Sequence, residues 1–540
     1  MFDLVVKSGE IIDGTGKQSF RADIGIKDGR IEAIAPLGDQ DNCPTLDVHG
    51  LVVCPGFIDI HSHSDFTLFV NRKGESKIRQ GVTTEVVGNC GFTAAPVRRE
   101  HFQDLLEYLA NTVILSDEDK EKWKWPSQAE FLRDIEEEGF SFNIAPLVGH
   151  GTIRVASMGF DKTRPTPERM DSMLRLIETE MDSGLFGLST GLQYEPCLYA
   201  ETDELIELTR LVKKYDGVYA VHLESESKGL LQCMSEAIEV AQRSGVSLQI
   251  SHLKTAFRPN WGKADVALNK IDEARKSGVD IDFDVYPYTA YGSGLIDLIP
   301  PWAREKGAGK MVEMLKDRPV QLRILKEMEE SSEDWENPGH GCGWGHIRIA
   351  MVKTAENRKY EGMTVQQVAD EMGCTPAEAT IRLMIEEEAA IKAIYFAMCE
   401  EDLETIMRHP RAVFCTDGRA VAPYGPLGRG SVHPRYYGTY PRILGRYVRD
   451  KKIIPLEEAV MKMTYLPARK IGLRKRGLLR EGYQADITVF DKNYVMDNAT
   501  FDEPHRYSRG IEYVIVNGQV VIDKGQHTDA LPGRVLRKGE

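Results

Sequence analysis

Residues 218–285 read VYAVHLESESKGLLQCMSEAIEVAQRSGVSLQISHLKTAFRPNWGKADVALNKIDEARKSGVDIDFDV. Short apolar runs at 218–221, 247–250 and 281–285 alternate with longer stretches at 230–244 and 264–277 whose apolar residues recur at helical spacing. A helix between two strands returns the chain to the end of the sheet where it started, so successive strands are expected side by side and parallel.

The same rhythm extends in both directions. Apolar segments at 56–60, 83–87, 143–148, 184–188 and 412–415 bring the number of candidate strands to eight, with a further amphipathic stretch at 203–215. Eight parallel strands predict an α/β fold, a TIM-like (β/α)8 barrel over 56–476. The interval before the last strand is too long for one helix. Residues about 292–346, with Pro300-Pro301 and a charged stretch at 326–336, read as an insertion after barrel strand seven, and helical sequence follows at 364–388. Insertions at that end of a barrel commonly wall the pocket.

The two ends of the chain have another texture. Short strands at 4–6, 24–26 and 30–34 are matched by strands at 485–490, 513–516 and 520–522, the last two joined at Asn517-Gly518. They predict a small β-sandwich domain built from 1–55 plus 477–540.

Composition bounds the function. Of 540 residues, 42% are hydrophobic and 28% charged, which supports a sizeable core and excludes a mainly disordered chain. Lys+Arg 68 against Asp+Glu 83 gives a net charge of −15, which opposes binding to nucleic acid or an anionic membrane. No apolar run approaches the roughly 18 residues of a membrane span, and the start lacks a secretory pattern. The nine cysteines are dispersed with no CxxC pair, so a reducing cytoplasm is the expected compartment, and any one cysteine is free to be a ligand or a core residue.

Barrel chemistry sits where strands end. The first strand ends in Asp59-Ile60-His61-Ser62-His63, and positions two apart share a face, so His61 and His63 can reach one metal. The second ends in Gly88-Asn89-Cys90-Gly91, the fifth in Val221-His222, the sixth in Ser251-His252 and the eighth in Thr416-Asp417-Gly418. Taken singly, each is bland: a lone His is usually a hydrogen-bonded loop residue, and a lone Cys a small core residue. Five metal-competent strand ends in barrel order are not bland. His340-Gly341-Cys342-Gly343-Trp344-Gly345-His346 could also ligate by spacing, but it lies in the insertion and reads as a Gly-rich loop. His150 follows strand three and can line the pocket outside the metal set, and the basic run 469–480 reads as a helix end and linker.

The order of these motifs resembles the amidohydrolase superfamily and, within it, the N-acyl-D-amino-acid deacylases (D-aminoacylases). The matching segments are 55–63, Gly88-Asn89-Cys90-Gly91-Phe92, Ser251-His252-Leu253-Lys254, Asp284-Val285-Tyr286-Pro287-Tyr288, Thr416-Asp417-Gly418, 433–442, Pro467-Ala468-Arg469 and Gly482-Tyr483-Gln484-Ala485-Asp486. The resemblance covers nearly the whole chain and is weakest over 304–348. It implies a tight Zn2+ site made by Cys90, His222 and His252, with His61, His63 and Asp417 framing an adjacent, weaker metal position. It also implies Asp417 as the catalytic acid–base group, and Lys254, Tyr286 and Ser293 near the carboxylate of a small N-acyl amino acid substrate. Zinc suits sulfur and imidazole ligands and activates water for amide hydrolysis. Two alternatives stand beside this. A cyclic amidase of hydantoinase or dihydroorotase type usually needs a strand-four lysine, which residues 184–192 lack. A catalytically silent scaffold would be expected to have lost ligands.

Overall fold

The computed structural model describes residues 1–38, 42–110, 112, 121, 123–305, 307–330 and 335–540. Strand Val218–His222 lies parallel between Gly187–Gly191 and Ser247–Ile250. The sheet continues through Ile281–Val285 to Ala412–Phe414 on one side and to Val148–Gly149 on the other, giving six strands. Phe57–Asp59, Val82–Val87 and Asn143–Pro146 form a second parallel sheet.

The two sheets adjoin at both edges. Leu147, which separates Asn143–Pro146 from Val148–Gly149, donates its N–H to the Val87 carbonyl, and Phe186 donates to Pro146. At the other seam Ser62 bridges Gly418 in parallel register, His63 N–H donates to Gly418 at 2.9 Å, and Asp417 N–H donates to His61 at 2.9 Å. The strands are covered on both faces: Val82–Val87 is buried at every position, the polar Thr83, Thr84 and Glu85 included.

The helices between strands are Thr202–Lys214, Leu230–Ser244 and Ala264–Lys276, close to the expected bounds. Strand four differs. The expectation was 184–188, whereas the strand is Gly187–Gly191, and Gly184 is a left-handed turn residue at φ +93°. The apolar Leu185-Phe186 pulled the reading upstream of a strand whose buried centre, Ser189-Thr190, is polar and internally hydrogen-bonded. The helical stretch at 364–388 is two helices, Val365–Met372 and Pro376–Glu386. Gly373 in left-handed conformation ends the first, and a Thr375–Glu378 capping box with Pro376 in the first turn starts the second.

After Ile281–Val285 the chain departs into an antiparallel sheet ordered Tyr291–Gly294, Lys392–Tyr395, Ile347–Met351. Helices Ala308–Lys316 and Arg318–Glu329 belong to this excursion and bury Leu315, Ile324 and Met328. The chain ends meet in a nine-stranded sheet, in which Val52–Pro55 pairs antiparallel with Ile487–Phe490. Among the described residues, no helix is long and apolar enough to cross a membrane.

Candidate metal centre

The strand ends bring Cys90, His252 and Asp417 to one place, and each does so with left-handed backbone, at φ +54°, +34° and +46°. An L residue in that conformation is strained by about 1 kcal/mol or more and persists only where its surroundings hold it. Around Cys90 the surroundings are explicit. Gly88 and Gly91 on either side are also left-handed. The Ser189 hydroxyl donates to the Gly88 carbonyl and accepts the Gly91 N–H at 3.0 Å. Tyr108 donates to the Gly91 carbonyl at 2.9 Å. A Cβ on Gly91 would meet the Tyr108 oxygen at 3.0 Å and Cys197 Sγ at 3.2 Å, so glycine is required there. The His252 N–H is fixed on Asp284 at 2.7 Å.

His61 and His63 extend from strand one, which a buried ion cluster ties to strand eight. Lys77 is fully buried and donates to Asp59 at 2.8 Å and to the Thr416 hydroxyl at 2.7 Å, and it pairs with Glu85 at 2.9 Å. Burial alone would lower the Lys77 pKa, but Asp59 and Glu85 outweigh it and raise it. Asp59 in turn accepts the Thr416 N–H at 2.9 Å. The loop carrying Asp417 is thereby held against the loop carrying the two histidines.

Three overlapping donor sets result: His61, His63 and Cys90; Cys90, His222 and His252; His61, His252 and Asp417. Within each set the donor atoms all lie within 4.8 Å of one another. His61 Nε2 is 3.2 Å from Cys90 Sγ, which is 3.8 Å from His252 Nε2. Asp417 Oδ1 is 3.5 Å from His63 Nε2 and 3.7 Å from His61 Nε2. The donors fit zinc, which takes sulfur, imidazole and carboxylate ligands. Nδ1 of His63 and of His222 is buried with no hydrogen-bond partner, so capacity for a ligand remains. Behind the donors, Asp284 lies 3.4 Å from His61 Nδ1 and Glu226 lies 2.8 Å from His252 Nδ1, the carboxylate–imidazole pairing usual behind metal-binding histidines. Burial pushes the Asp417 carboxyl up, but Arg435 at 2.9 Å, with His252 and His63, holds it well below the ordinary carboxylate range.

His63, Cys90, His222, His252 and Asp417 line one cavity of about 640 Å³, together with Lys254 and Ser293. Lys254 Nζ donates to Glu226 at 2.5 Å and lies 2.8 Å from His252 Nδ1, so its charge faces a carboxylate and a ring of the candidate donor set. Tyr286 is not among the residues lining this cavity. Its ring carries Arg435 at 4.7 Å and Lys254 at 5.8 Å, it lines a small void behind His252 and Lys254, and its hydroxyl is buried without a partner.

Sequence reasoning missed Glu226, Arg435, Ser189 and Lys77. Glu226 sits in the polar run Glu224-Ser225-Glu226-Ser227, where no pattern separates it from its neighbours, and Arg435 falls inside the family-like segment 433–442 without a role of its own. His150 stands apart from the metal set: its Nε2 pairs with Glu204 at 2.9 Å. The segment read as a Gly-rich loop instead forms two short helical turns, Pro338–Gly341 and Trp344–His346, and the Cys342 thiol donates to the Pro338 carbonyl at 3.0 Å.

A family model described as "Amidohydrolase family" matches residues 45–522. N-acyl-D-glutamate deacylase of Alcaligenes xylosoxydans xylosoxydans is 35% identical over 99% of this chain and 96% of its own. D-aminoacylase of the same organism is 34% identical over 99% of this chain and 98% of its own. A crystal structure of N-acyl-D-glutamate deacylase from Bordetella bronchiseptica, complexed with zinc and a phosphonate inhibitor that mimics the tetrahedral intermediate, matches at 32% identity with a TM-score of 0.82, covering 99% of each chain.

Proposed function

The chain belongs to the amidohydrolase family, and from that premise we propose that it hydrolyses N-acyl-D-amino acids: substrate and water give a carboxylate and a D-amino acid. The observation that carries this reading is the Cys90, His222 and His252 donor set with Asp417 beside it in one cavity. Cys90, His222 and His252 would hold one tight zinc, and His61, His63 and Asp417 would frame a second, weaker position. When bound, zinc supplies Lewis acidity that polarises the amide carbonyl and acidifies water.

The chain's own residues supply the rest. Asp417 takes a proton from the attacking water and returns it to the leaving nitrogen, which departs poorly as an anion. Arg435 and His63 keep its carboxylate ionised and aimed. Lys254 and Ser293, both on the cavity lining, hold the substrate's α-carboxylate, with Tyr286 packed behind Lys254 as its support, and the buried guanidinium of Arg435 adds charge on that side. The partner is thus a small N-acyl amino acid, and the −15 net charge gives no attraction for nucleic acid or anionic lipid.

The finer architecture belongs to the same reading. The seam contacts at Leu147 and at Ser62–Gly418 support one closed eight-stranded barrel over 56–476. The pairing of Val52–Pro55 with Ile487–Phe490 supports a separate β domain, sandwich-like, from 1–55 plus 477–540. The insertion that begins near 292 extends in this reading past 346, because Lys392–Tyr395 is the central strand of its sheet. The compartment is the reducing cytoplasm, where a ligand cysteine stays reduced.

A panel of N-acetyl-D- and N-acetyl-L-amino acids, assayed with zinc-loaded protein, tests the activity. Faster release of free amino acid from the D series is expected, and equal or faster hydrolysis of the L series overturns the reading.

A further inference from the structure

A second cavity of about 1160 Å³ adjoins the catalytic one, and Gly292, Ser293, Arg419 and Tyr436 line both. Its far wall is aromatic. Phe66, Phe69, Trp123 and Trp125 form a continuous cluster with ring centroids 5.3 to 6.4 Å apart. Both indole N–H groups are already paired: Trp123 Nε1 donates to the Ala94 carbonyl at 2.8 Å and Trp125 Nε1 to Asp134, itself on the cavity lining, at 2.6 Å. Neither indole N–H is left free for a ligand, so what the tryptophans offer one is ring carbon, held in place by protein hydrogen bonds. Phe69 and Val70 are among the few large apolar side chains that remain exposed, at 36% and 46%, and they stand side by side on this wall. Exposed apolar surface that is contiguous with a reaction cavity is the usual mark of a binding subsite.

We propose that this annex binds the acyl group of the substrate, and that the chain prefers N-acyl-D-amino acids whose acyl group is a medium-length alkyl chain or an aryl group. The inference rests on the deacylase reading above and deepens it. The topology decides which half of the substrate lies there. Lys254 and Tyr286 follow the strands Ser247–Ile250 and Ile281–Val285, whereas Phe66, Phe69, Trp123 and Trp125 follow the strands Phe57–Asp59 and Val82–Val87. In the ring of strands these pairs stand on opposite sides of the metal donors. A substrate whose α-carboxylate lies beside Lys254 extends its acyl group away from that carboxylate, past Asp417 and Arg419, toward the aromatic wall. Arg419 at the junction donates to the Thr112 hydroxyl at 3.2 Å, which holds its guanidinium at the rim of the passage.

Burying a methylene in such a wall is worth about 0.8 kcal/mol, or about fourfold in kcat/KM for each one taken out of water. The test is a homologous series, N-acetyl, N-butanoyl, N-hexanoyl and N-octanoyl, on one D-amino acid, assayed with the zinc-loaded full chain. Expected is a rise of kcat/KM by about tenfold or more from acetyl to hexanoyl. Val70→Asp sets a charge on an exposed position of the wall and should flatten that rise to about threefold or less, and Phe69→Ala provides a second variant at an exposed site should the first fold poorly. A series that is flat or falls with chain length overturns the annex while leaving deacylation of the acetyl substrate standing. A rise that survives both variants undiminished also overturns it. Failure to hydrolyse any member of the series overturns the deacylase reading itself.

Discussion

Glu226 lies with one carboxylate oxygen 2.8 Å from Nδ1 of His252. That contact fixes the ring so that Nε2 faces Cys90 Sγ at 3.8 Å. A carboxylate behind a metal-binding imidazole sets its tautomer and raises its basicity, and losing one typically costs 10–100-fold in metal affinity. Glu226→Gln is therefore expected to weaken zinc binding by about tenfold or more, read by chelator competition. Cys90→Ala, which removes a proposed ligand outright, should abolish tight binding. Wild-type affinity in Glu226→Gln would remove this carboxylate from the metal's support.

Asp417→Asn keeps the shape of the side chain and removes the proposed base. A fall in kcat of about 10²-fold or more is expected, the usual contribution of general acid–base catalysis. Zinc should be retained at the Cys90, His222 and His252 set, so metal analysis is run on the same sample. Full zinc with near-wild-type kcat would sink the acid–base role.

Much of this was legible because the strand ends announce themselves. Periodicity locates Val218–His222, Ser247–Ile250 and Ile281–Val285 to within a residue, and the proposed ligand follows or ends the strand at His222 and His252. What reads poorly is whatever acts through a contact distant in sequence. Ser189 is 98 residues from Gly91, Lys77 is 339 from Thr416, and Arg435 meets Asp417 only through the turn of a loop. Lys77 in particular sits in the four-residue helix Glu75–Ile78, where the pattern suggests a solvated lysine and the fold buries it. Lys254 is the converse case: the sequence marks it as a cation near the site, and only the structure gives it Glu226 as a partner.

Lys77→Met should be strongly destabilising. It removes the cation between Asp59 and Glu85 and leaves both carboxylates fully buried. Breaking one side of a buried ion cluster commonly costs about 3–5 kcal/mol. The urea midpoint of the purified variant should fall accordingly, and an unchanged midpoint would show that the cluster contributes nothing net.

His150 gives a pH signature away from the metal. Burial would lower its pKa, but Cys197 and Glu204 beside it outweigh that and push it up to about 9. A group raised in the folded state contributes stability that is fully present below its unfolded value, near 6.5, and is lost as pH rises through about 9. The wild-type chain should thus exceed His150→Gln in Tm at pH 6, with the gap closing by pH 9 to 10. A gap that stays constant across that range would refute the assignment.

The sheet at the chain ends has a consequence on the ribosome. The first 55 residues emerge early with Leu4–Ile11, Phe20–Lys27 and Arg30–Ala35 able to pair, but Val52–Pro55 must wait for Ile487–Phe490. The hydrogen bond from Cys54 to Thr488 spans 434 residues. At about 5–20 residues per second, that open strand edge stands unpaired for roughly 20 to 90 seconds on every nascent chain. An unpaired apolar edge is an aggregation template, so yield on expression should track translation speed and chaperone supply more closely than it tracks the stability of the finished fold.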